Sequence, residues 1–100
     1  MQSLTNGQRQ HLRRLAHQIR PLVQVGKQGL TDGVRLNVDR ALDNHELVKV
    51  KFLDFQDQKE EFADDLAHAT DSILISLVGN TALLYRRQPD SDRRKIDLPG

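Results

Sequence analysis

The sequence predicts a single α/β (α+β) domain in which helices pack on a four-stranded mixed sheet, with the element order αβαβαββ. Apolar residues recur with helical periodicity in three segments, and an apolar strand pattern follows each of them. The last two strands are separated by a two-residue hairpin signal. Strands linked through a helix are typically parallel and strands linked through a tight turn are antiparallel, so the sheet is mixed.

The first helix is expected to begin after Thr5, because Gln8 completes the capping-box spacing, and to end before Pro21. Its core stripe consists of Leu12, Leu15, Ala16 and Ile19. At roughly 100° per residue, a basic stripe adjoins that core stripe. The basic stripe consists of Arg9, Arg13, His17 and Arg20. A solvated surface would give the same pattern, so the stripe alone does not indicate a binding site.

Residues 22–25 predict a short strand that ends at Gly26, after which Thr31 is expected to cap a second helix running to about Asn44. The apolar positions of this second helix are Val34, Val38, Ala41 and Leu42. Residues 47–52 alternate between apolar and basic side chains, which is typical of a strand with one buried face. The buried positions are Val48, Val50 and Phe52, and Lys49 and Lys51 point the other way.

A third helix is expected from Asp57 to about Thr70. Its predicted inward residues are Phe62, Ala63, Leu66 and Ala69, and its outward residues include Asp57, Glu60, Glu61, Asp64, Asp65 and His68. Strands at 73–78 and 81–86 flank the Gly79-Asn80 turn. We therefore assign residues 1–88 to one domain and residues 89–100 to a polar, partly extended tail, in which Ile96 and Leu98 contact the domain.

The composition is that of a soluble globular protein: of 100 residues, 37% are hydrophobic and 29% are charged. The absence of cysteine excludes disulfides and thiolate metal sites. No apolar run reaches the length of a signal peptide or a membrane span. We expect a cytoplasmic monomer that does not contact a membrane.

Charge is segregated along the chain although the net charge is only +1. Residues 1–29 contain five cations and no acid, whereas residues 53–71 contain seven acids and one lysine. The region from Ser72 onward is again basic, with five cations against three acids. This segregation predicts that one side of the folded protein faces an anionic partner.

The stretch from Gly26 to Thr31 is the most informative motif in the sequence. Gly26, Lys27, Gln28 and Gly29 form a Gly-x-x-Gly loop that leads into a helix N-terminus, where backbone amides and a lysine are able to hold a phosphate. In isolation, two glycines at this spacing more often mark an ordinary tight turn. The neighbouring basic residues favour an anion-binding function.

Catalysis has weaker support than anion binding. Asp64, Asp65 and His68 are the best metal-ligand candidates, but solvated helix residues often have that spacing by chance. The sequence contains no Walker loop or dinucleotide fingerprint. We therefore predict no catalytic residues, no cofactor, no metal and no small-molecule substrate, and keep a metal-dependent nuclease as a minor alternative.

Nucleic-acid binding accounts for more of the sequence. A Gly-x-x-Gly loop lets a sugar-phosphate chain approach the backbone, as in the KH module. The predicted contacts are Gly26, Lys27, Gln28, Gly29, Thr31, Arg9, Arg13, His17, Arg20, Arg86 and Arg87. Arg86 and Arg87 belong to this set only if the sheet order brings them to the loop. Most of the four aromatic residues look like core, which argues against an RRM. No helix-turn-helix spacing is present, so RNA is favoured over DNA.

Four pieces of sequence, in order and at the right spacing, resemble the CRM domain (chloroplast RNA splicing and ribosome maturation). They are residues 12–21, residues 23–31, residues 45–51 and residues 79–86. The similarity is greatest to the stand-alone bacterial, YhbY-type RNA-binding proteins and extends from about Leu4 to Leu98. Two positions depart from the family pattern: Thr70-Asp71 stands where many relatives have glycine, and Asn80 follows the hairpin glycine.

The resemblance implies a fold similar to the C-terminal domain of translation initiation factor 3. It also implies RNA binding through the glycine loop and the nearby Arg13, Arg20 and Arg86, and association with ribosomal RNA in precursors of the large (50S) subunit. Our hypothesis is a non-enzymatic RNA-binding protein of ribosome biogenesis. The alternative is a protein-interaction adaptor on pre-ribosomal particles that uses the acidic third helix.

Overall fold

The computed structural model describes residues 3–100; Met1 and Gln2, which the predicted domain includes, lie outside the described residues. Within that part of the chain, three α-helices and four strands follow one another in the predicted order. They are α1 (Asn6–Ala16), β1 (Val23–Val25), α2 (Asp32–His45), β2 (Leu47–Phe52), α3 (Lys59–Ala69), β3 (Ile73–Val78) and β4 (Thr81–Tyr85). Short 3₁₀ turns precede α3 (Gln56–Gln58) and interrupt the tail (Ser91–Arg93). Among residues 3–100, no helix is long and apolar enough to cross a membrane.

Side-chain caps mark where α1 and α2 begin. Thr5 and Gln8 form the predicted capping box, in which each side chain accepts the other residue's backbone N–H. The Thr31 hydroxyl accepts the Val34 N–H at 3.1 Å and so starts α2 at the expected place. Both predicted start signals are confirmed.

The end of α3 shows how the chain manages without the family's glycine. Asp71 takes a left-handed conformation (φ +51°), and the Ser72 N–H donates to the Ala67 carbonyl while the Asp71 N–H donates to the His68 carbonyl. This is a Schellman motif, with aspartate in the position that glycine usually occupies.

The four strands lie in the order β1-β2-β4-β3. β1 is parallel to β2, and β4 runs antiparallel to both β2 and β3, so the predicted mixed sheet is confirmed. β1 and β2 finish at the same end of the sheet, from which the Gly-x-x-Gly loop emerges; we call it the loop end. β4 finishes at the opposite end, next to the start of β2, and we call that the tail end.

Helices cover both faces of the sheet. On the α2–α3 face, the core contains Val38 and Leu42 of α2, Ala63 and Leu66 of α3, and inward residues of all four strands. The opposite face, which we call the α1 face, is covered at the tail end by Leu12 and Ala16 of α1 and by Ile96 and Leu98 of the tail. The remainder of the α1 face, toward the loop end, has no helix over it, and this uncovered region positions the candidate site.

A few details differ from the sequence-based expectation. Ala69 is exposed and Ala67 is buried instead, because the inward stripe of α3 runs through 63, 66, 67 and 70. The first helix ends at Ala16, well before Pro21, and β4 ends at Tyr85, one residue early. β3 contains an irregularity between Leu74 and Ser76, where a β-bulge breaks the expected alternation.

Glu46 joins the tail to the domain. Its side chain is only 1% exposed, and its carboxylate accepts backbone N–H groups from Gln88 (3.0 Å), Lys95 (2.6 Å) and Ile96 (3.0 Å). The residue also ends α2 with φ +66°, a strained conformation for a non-glycine residue. Three charge-assisted hydrogen bonds from one carboxylate hold the tail in place.

Asp43 also contacts the tail, through Gln88 and Arg93. Hydrogen bonds from the Gln88 side chain and from Arg93 hold the pKa of Asp43 below its usual value. A lowered folded pKa means that this contribution to stability is present above the ordinary aspartate pKa and is lost as the pH falls through the lowered value. We expect the Gln88 side-chain amide signals in NMR spectra to shift toward their free positions only in that acid range, and Asp43→Asn to remove the transition.

Candidate nucleic-acid interface

The Gly-x-x-Gly loop is a tight turn between β1 and α2. The Gly29 N–H donates to the Gly26 carbonyl at 3.0 Å, and the Thr31 N–H donates to the Gly29 carbonyl at 3.0 Å. The backbone amides of Lys27 and Gln28, at the tip, make no hydrogen bond within residues 3–100, and both side chains are exposed. The tip therefore presents two amides and one lysine to an anion.

The two glycines have different roles. Gly29 is buried with φ +71°, and a β-carbon at this position contacts the rings of Phe55 and Phe62 at 3.6–3.7 Å. Gly29 thus provides the turn geometry in the free protein. Gly26 lies outside the left-handed region, and a β-carbon there meets nothing within 4 Å. Neither backbone conformation nor packing in the described structure therefore demands glycine at position 26.

A pair of alanine substitutions separates these roles. Gly29→Ala is expected to destabilise the fold by about 1–2 kcal/mol, the cost of a left-handed non-glycine residue. Gly26→Ala is expected to leave the urea midpoint unchanged and to weaken RNA binding severalfold, measured by fluorescence anisotropy. Full RNA affinity in Gly26→Ala protein contradicts a backbone contact at this loop.

Arg13 and His17 border the uncovered part of the α1 face. Arg13 belongs to the last turn of α1 and His17 is the residue that caps its C-terminus, and both line a groove together with Lys49 of β2. Lys51 lies on the same face as Lys49, since Val50 and Phe52 point into the core on the other side. In the sheet register Lys51 is directly opposite Gln24, two residues before Gly26. The cations of α1 and β2 thus lie on one face of the sheet, and Lys51 is on the strand next to the one that precedes the glycine loop.

Lys49 and Lys51 were not among the residues selected from the sequence. Their alternation with valine and phenylalanine indicated a strand, which explains them without a ligand. The signal that could have found them is that both lysines lie on the face opposite the core stripe, the face to which α1 also presents its cations.

Carboxylates are absent from the elements that build this surface. Neither α1 nor any of the four strands contains an aspartate or a glutamate. The exposed acids of α3 lie on the α2–α3 side of the sheet, as the charge segregation predicts. No ion pair formed among residues 3–100 engages Arg9, Arg13, Arg20 or Lys27.

Two acids do lie near the glycine loop. Asp32 occupies the first turn of α2, and Asp54 lies in the connection after β2. The residues on either side of Asp54 contact the loop region: the Leu53 N–H donates to the Val25 carbonyl, and Phe55 packs against Gly29. The loop is therefore bordered by cations on its α1 side and by carboxylates on its α2–α3 side. An anion is expected to approach from the α1 side.

The structure does not bring Arg86 and Arg87 to the loop. Both follow β4 at the tail end, because β4 is antiparallel to β2. The Arg86 guanidinium donates to the Asp39 carboxylate (2.6 Å), the Thr70 carbonyl (2.7 Å) and the Asp39 carbonyl (2.9 Å), and its side chain is 19% exposed. Arg86 joins α2 to the end of α3. Because the sheet order places Arg86 and Arg87 at the tail end, they do not border the loop.

The other predicted cations are also spread out. Arg20 lines a second groove, on the α1 side, together with His45 and Lys95. Arg9 lies one turn before Arg13, toward Gln8, whose side chain donates to the Pro99 carbonyl near the tail. Thr31 uses its hydroxyl to cap α2. Of the predicted cations, Arg13 and His17 line the groove that also contains Lys49, and Lys27 lies at the tip of the loop.

The alternative metal site on α3 finds no geometric support. Among the described residues, no group of three or more His, Asp or Glu side chains could hold a metal ion. Asp64, Asp65 and His68 are exposed residues on the outer side of α3.

The fold and the charge distribution together define a small α/β domain with a cationic face. A model of the CRS1/YhbY (CRM) domain matches residues 4–86, and the chain belongs to this family.

Relatives align along nearly the whole chain. A protein of Pseudomonas aeruginosa, which carries the name probable RNA-binding protein, is 35% identical over 96% of this chain and 93% of its own length. An RNA-binding protein of Haemophilus influenzae is 35% identical over 99% of this chain and 98% of its own length. The solution structure of a Staphylococcus aureus protein, for which RNA binding is suggested, superposes with a TM-score of 0.79 at 38% identity, covering 97% of this chain and all of that one. The similarity extends over nearly the whole chain and includes the fold.

Proposed function

We propose that this chain is a non-enzymatic, monomeric, cytoplasmic RNA-binding protein that docks structured ribosomal RNA during assembly of the large ribosomal subunit. The RNA backbone lies across the loop from Gly26 to Gly29 and along the α1 face. Its proposed contacts are Lys27, Gln28, Arg13, His17, Lys49 and Lys51. Arg86 and Arg87 are left out because they lie at the tail end.

One observation supports this proposal most strongly: the cations around the loop continue onto a sheet face built from elements that contain no carboxylate. Such a surface attracts a polyanion, whereas a basic protein partner is better matched by the opposite side. The names of the relatives support RNA as the polyanion. Few aromatic side chains are exposed, so phosphate contacts are expected to dominate base reading.

Salt dependence tests the dominance of phosphate contacts. Four cations at the proposed interface (Arg13, Lys27, Lys49 and Lys51) predict a slope of about −3 in a plot of log K against log salt concentration. Lys51→Gln is expected to reduce the magnitude of that slope by about 1. Affinity for ribosomal RNA fragments that is independent of salt between low and physiological ionic strength contradicts the proposal.

The adaptor hypothesis retains one supporting feature, the exposed acidic surface of α3 at Glu60, Glu61, Asp64 and Asp65. Cosedimentation of protein variants with ribosomal precursors distinguishes the adaptor hypothesis from RNA docking. Loss of cosedimentation in a Glu60→Lys/Glu61→Lys variant, with Lys27→Glu still bound, favours the adaptor. The reverse outcome favours RNA docking.

A further inference from the structure

The uncovered part of the α1 face contains a groove of about 440 Å³ between α1 and the sheet. Its rim includes Arg13, His17 and Lys49. Its apolar lining, which we call the floor, includes the buried Leu83 and the exposed Val78, and Ser76 also lines the groove. Volumes of several hundred cubic ångströms are typical of pockets that hold small molecules, so the groove is larger than a phosphate needs.

Two features of the fold create this groove. α1 ends at Ala16, so the sheet beyond it stays open and Val78 is 73% exposed. The β3 bulge after Leu74 places Ile75 and Ser76 on the same face, and Val78 follows them there. Without the bulge, Ser76 and Val78 would point into the α2–α3 core.

The groove combines apolar surface, hydroxyl groups and cationic side chains, which are the groups that bind a nucleotide. The apolar floor suits the flat face of a nucleobase, and Ser76 together with the nearby Thr81 offers hydroxyls to polar base edges or to a ribose. Arg13 and His17 stand four residues apart on one helical face, and guanidinium and imidazole planes both stack on bases. Lys49 supplies a cation for the phosphate.

We propose that this groove binds one unpaired nucleotide of the RNA, beside the segment held by the glycine loop. This inference rests on the proposed RNA-binding function and adds to it a preference for a duplex interrupted by an unpaired nucleotide. In a regular duplex every base is paired and stacked, so no base is free to enter the groove.

The position of the groove fits the same RNA strand. Thr81 on its wall pairs with Lys51 of β2, and Lys51 pairs with Gln24 of β1. Thr81 on the groove wall is thus two strand spacings, about 10 Å, from Gln24, which lies two residues before Gly26. Nucleotides a few positions apart in one RNA strand can occupy the groove and the loop together, with Lys51 between them.

The first test uses mononucleotides and the whole protein. Titration with adenosine or uridine 5′-monophosphate, followed by ¹H–¹⁵N NMR, is expected to give saturable shifts at Lys49, Ser76, Val78 and Leu83. Inorganic phosphate at equal ionic strength is expected to leave Val78 and Leu83 unmoved. Absent shifts, or equal shifts with phosphate, overturn the proposal.

The second test compares an RNA hairpin with the same hairpin carrying one bulged nucleotide. Wild-type protein is expected to bind the bulged form about tenfold more tightly, which is the gain in affinity typical of one stacked base. Val78→Glu places a carboxylate on the groove floor at an exposed position and is expected to abolish the preference. Leu36→Glu makes the same change at a 49% exposed residue of α2 and is expected to keep it.

The outcomes separate this inference from the proposed function. A Val78→Glu protein that still prefers the bulged hairpin, or a wild-type protein without preference, overturns the nucleotide groove while RNA binding stands. A Lys27→Glu protein that binds both hairpins as tightly as wild type overturns the loop contact, and the mononucleotide shifts still decide whether the groove is a site.

Discussion

Lys27→Glu is expected to weaken RNA binding by about tenfold to a hundredfold without a change in stability. The side chain is exposed at the tip of the glycine loop and forms no ion pair among residues 3–100, so the fold does not depend on it. The substitution removes a phosphate contact and places a negative charge beside the bound backbone, and each tenfold change in affinity corresponds to about 1.4 kcal/mol. Anisotropy titrations at fixed salt, with the urea midpoint as a check on folding, measure the effect.

Arg40→Glu is the matched control for Lys27→Glu. Arg40 is likewise exposed, but it belongs to α2 on the opposite side of the molecule, and the change in net charge is identical. Its RNA affinity is expected to stay within about twofold of wild type, since exposed charges more than a Debye length away are screened. Equal losses in the two variants indicate that net charge, and not the loop, governs binding. Asp64→Ala on the acidic helix is also expected to leave binding unchanged.

Glu46→Ala is expected to produce the largest loss of stability of any single substitution discussed here, about 2–4 kcal/mol. It removes the acceptor of three backbone N–H groups, those of Gln88, Lys95 and Ile96, and it leaves alanine in a strained backbone conformation. Each buried N–H group left without an acceptor lowers the free energy of unfolding by about 1–3 kcal/mol, and by less where water can reach the group. Urea denaturation gives the total, and hydrogen exchange at the three amides shows whether the tail is released first.

Glu61→Ala provides the comparison for Glu46→Ala, because Glu61 is an exposed glutamate of α3. Its stability is expected to change by less than about 0.5 kcal/mol. Unaltered exchange at Lys95 and Ile96 in Glu46→Ala protein contradicts the assignment of Glu46 as the attachment point of the tail.

The order of helices and strands was predictable because each element carries its own local signal. The Thr5 capping box, the Thr31 cap and the Gly79-Asn80 turn all act within a few residues, and the structure has all three in place. Side-chain alternation also predicted which face of β2 is buried. The β3 bulge was not predictable, since β3 is apolar apart from Ser76 and carries no local signal that marks the extra residue.

The site was only partly predictable because it depends on contacts between distant segments. The loop sequence indicates anion binding by itself, whereas the position of Arg86 depends on β4 lying between β2 and β3. Lys49 and Lys51 enter the interface because α1 stops short of the loop end, a feature of tertiary packing. Glu46 carries no sequence signal at all: an acid between a helix and a strand is typical of a solvated loop, and here it is buried.

The most direct measurement of the central idea, that RNA lies on the loop and the α1 face, is ultraviolet crosslinking of the intact protein to ribosomal RNA, with the crosslinked peptides mapped by mass spectrometry. We predict crosslinks in peptides that contain Lys27, Lys49 or Lys51, and in the α1 peptide that contains Arg13. Crosslinks confined to α3, or to the tail end around Arg87, contradict the account.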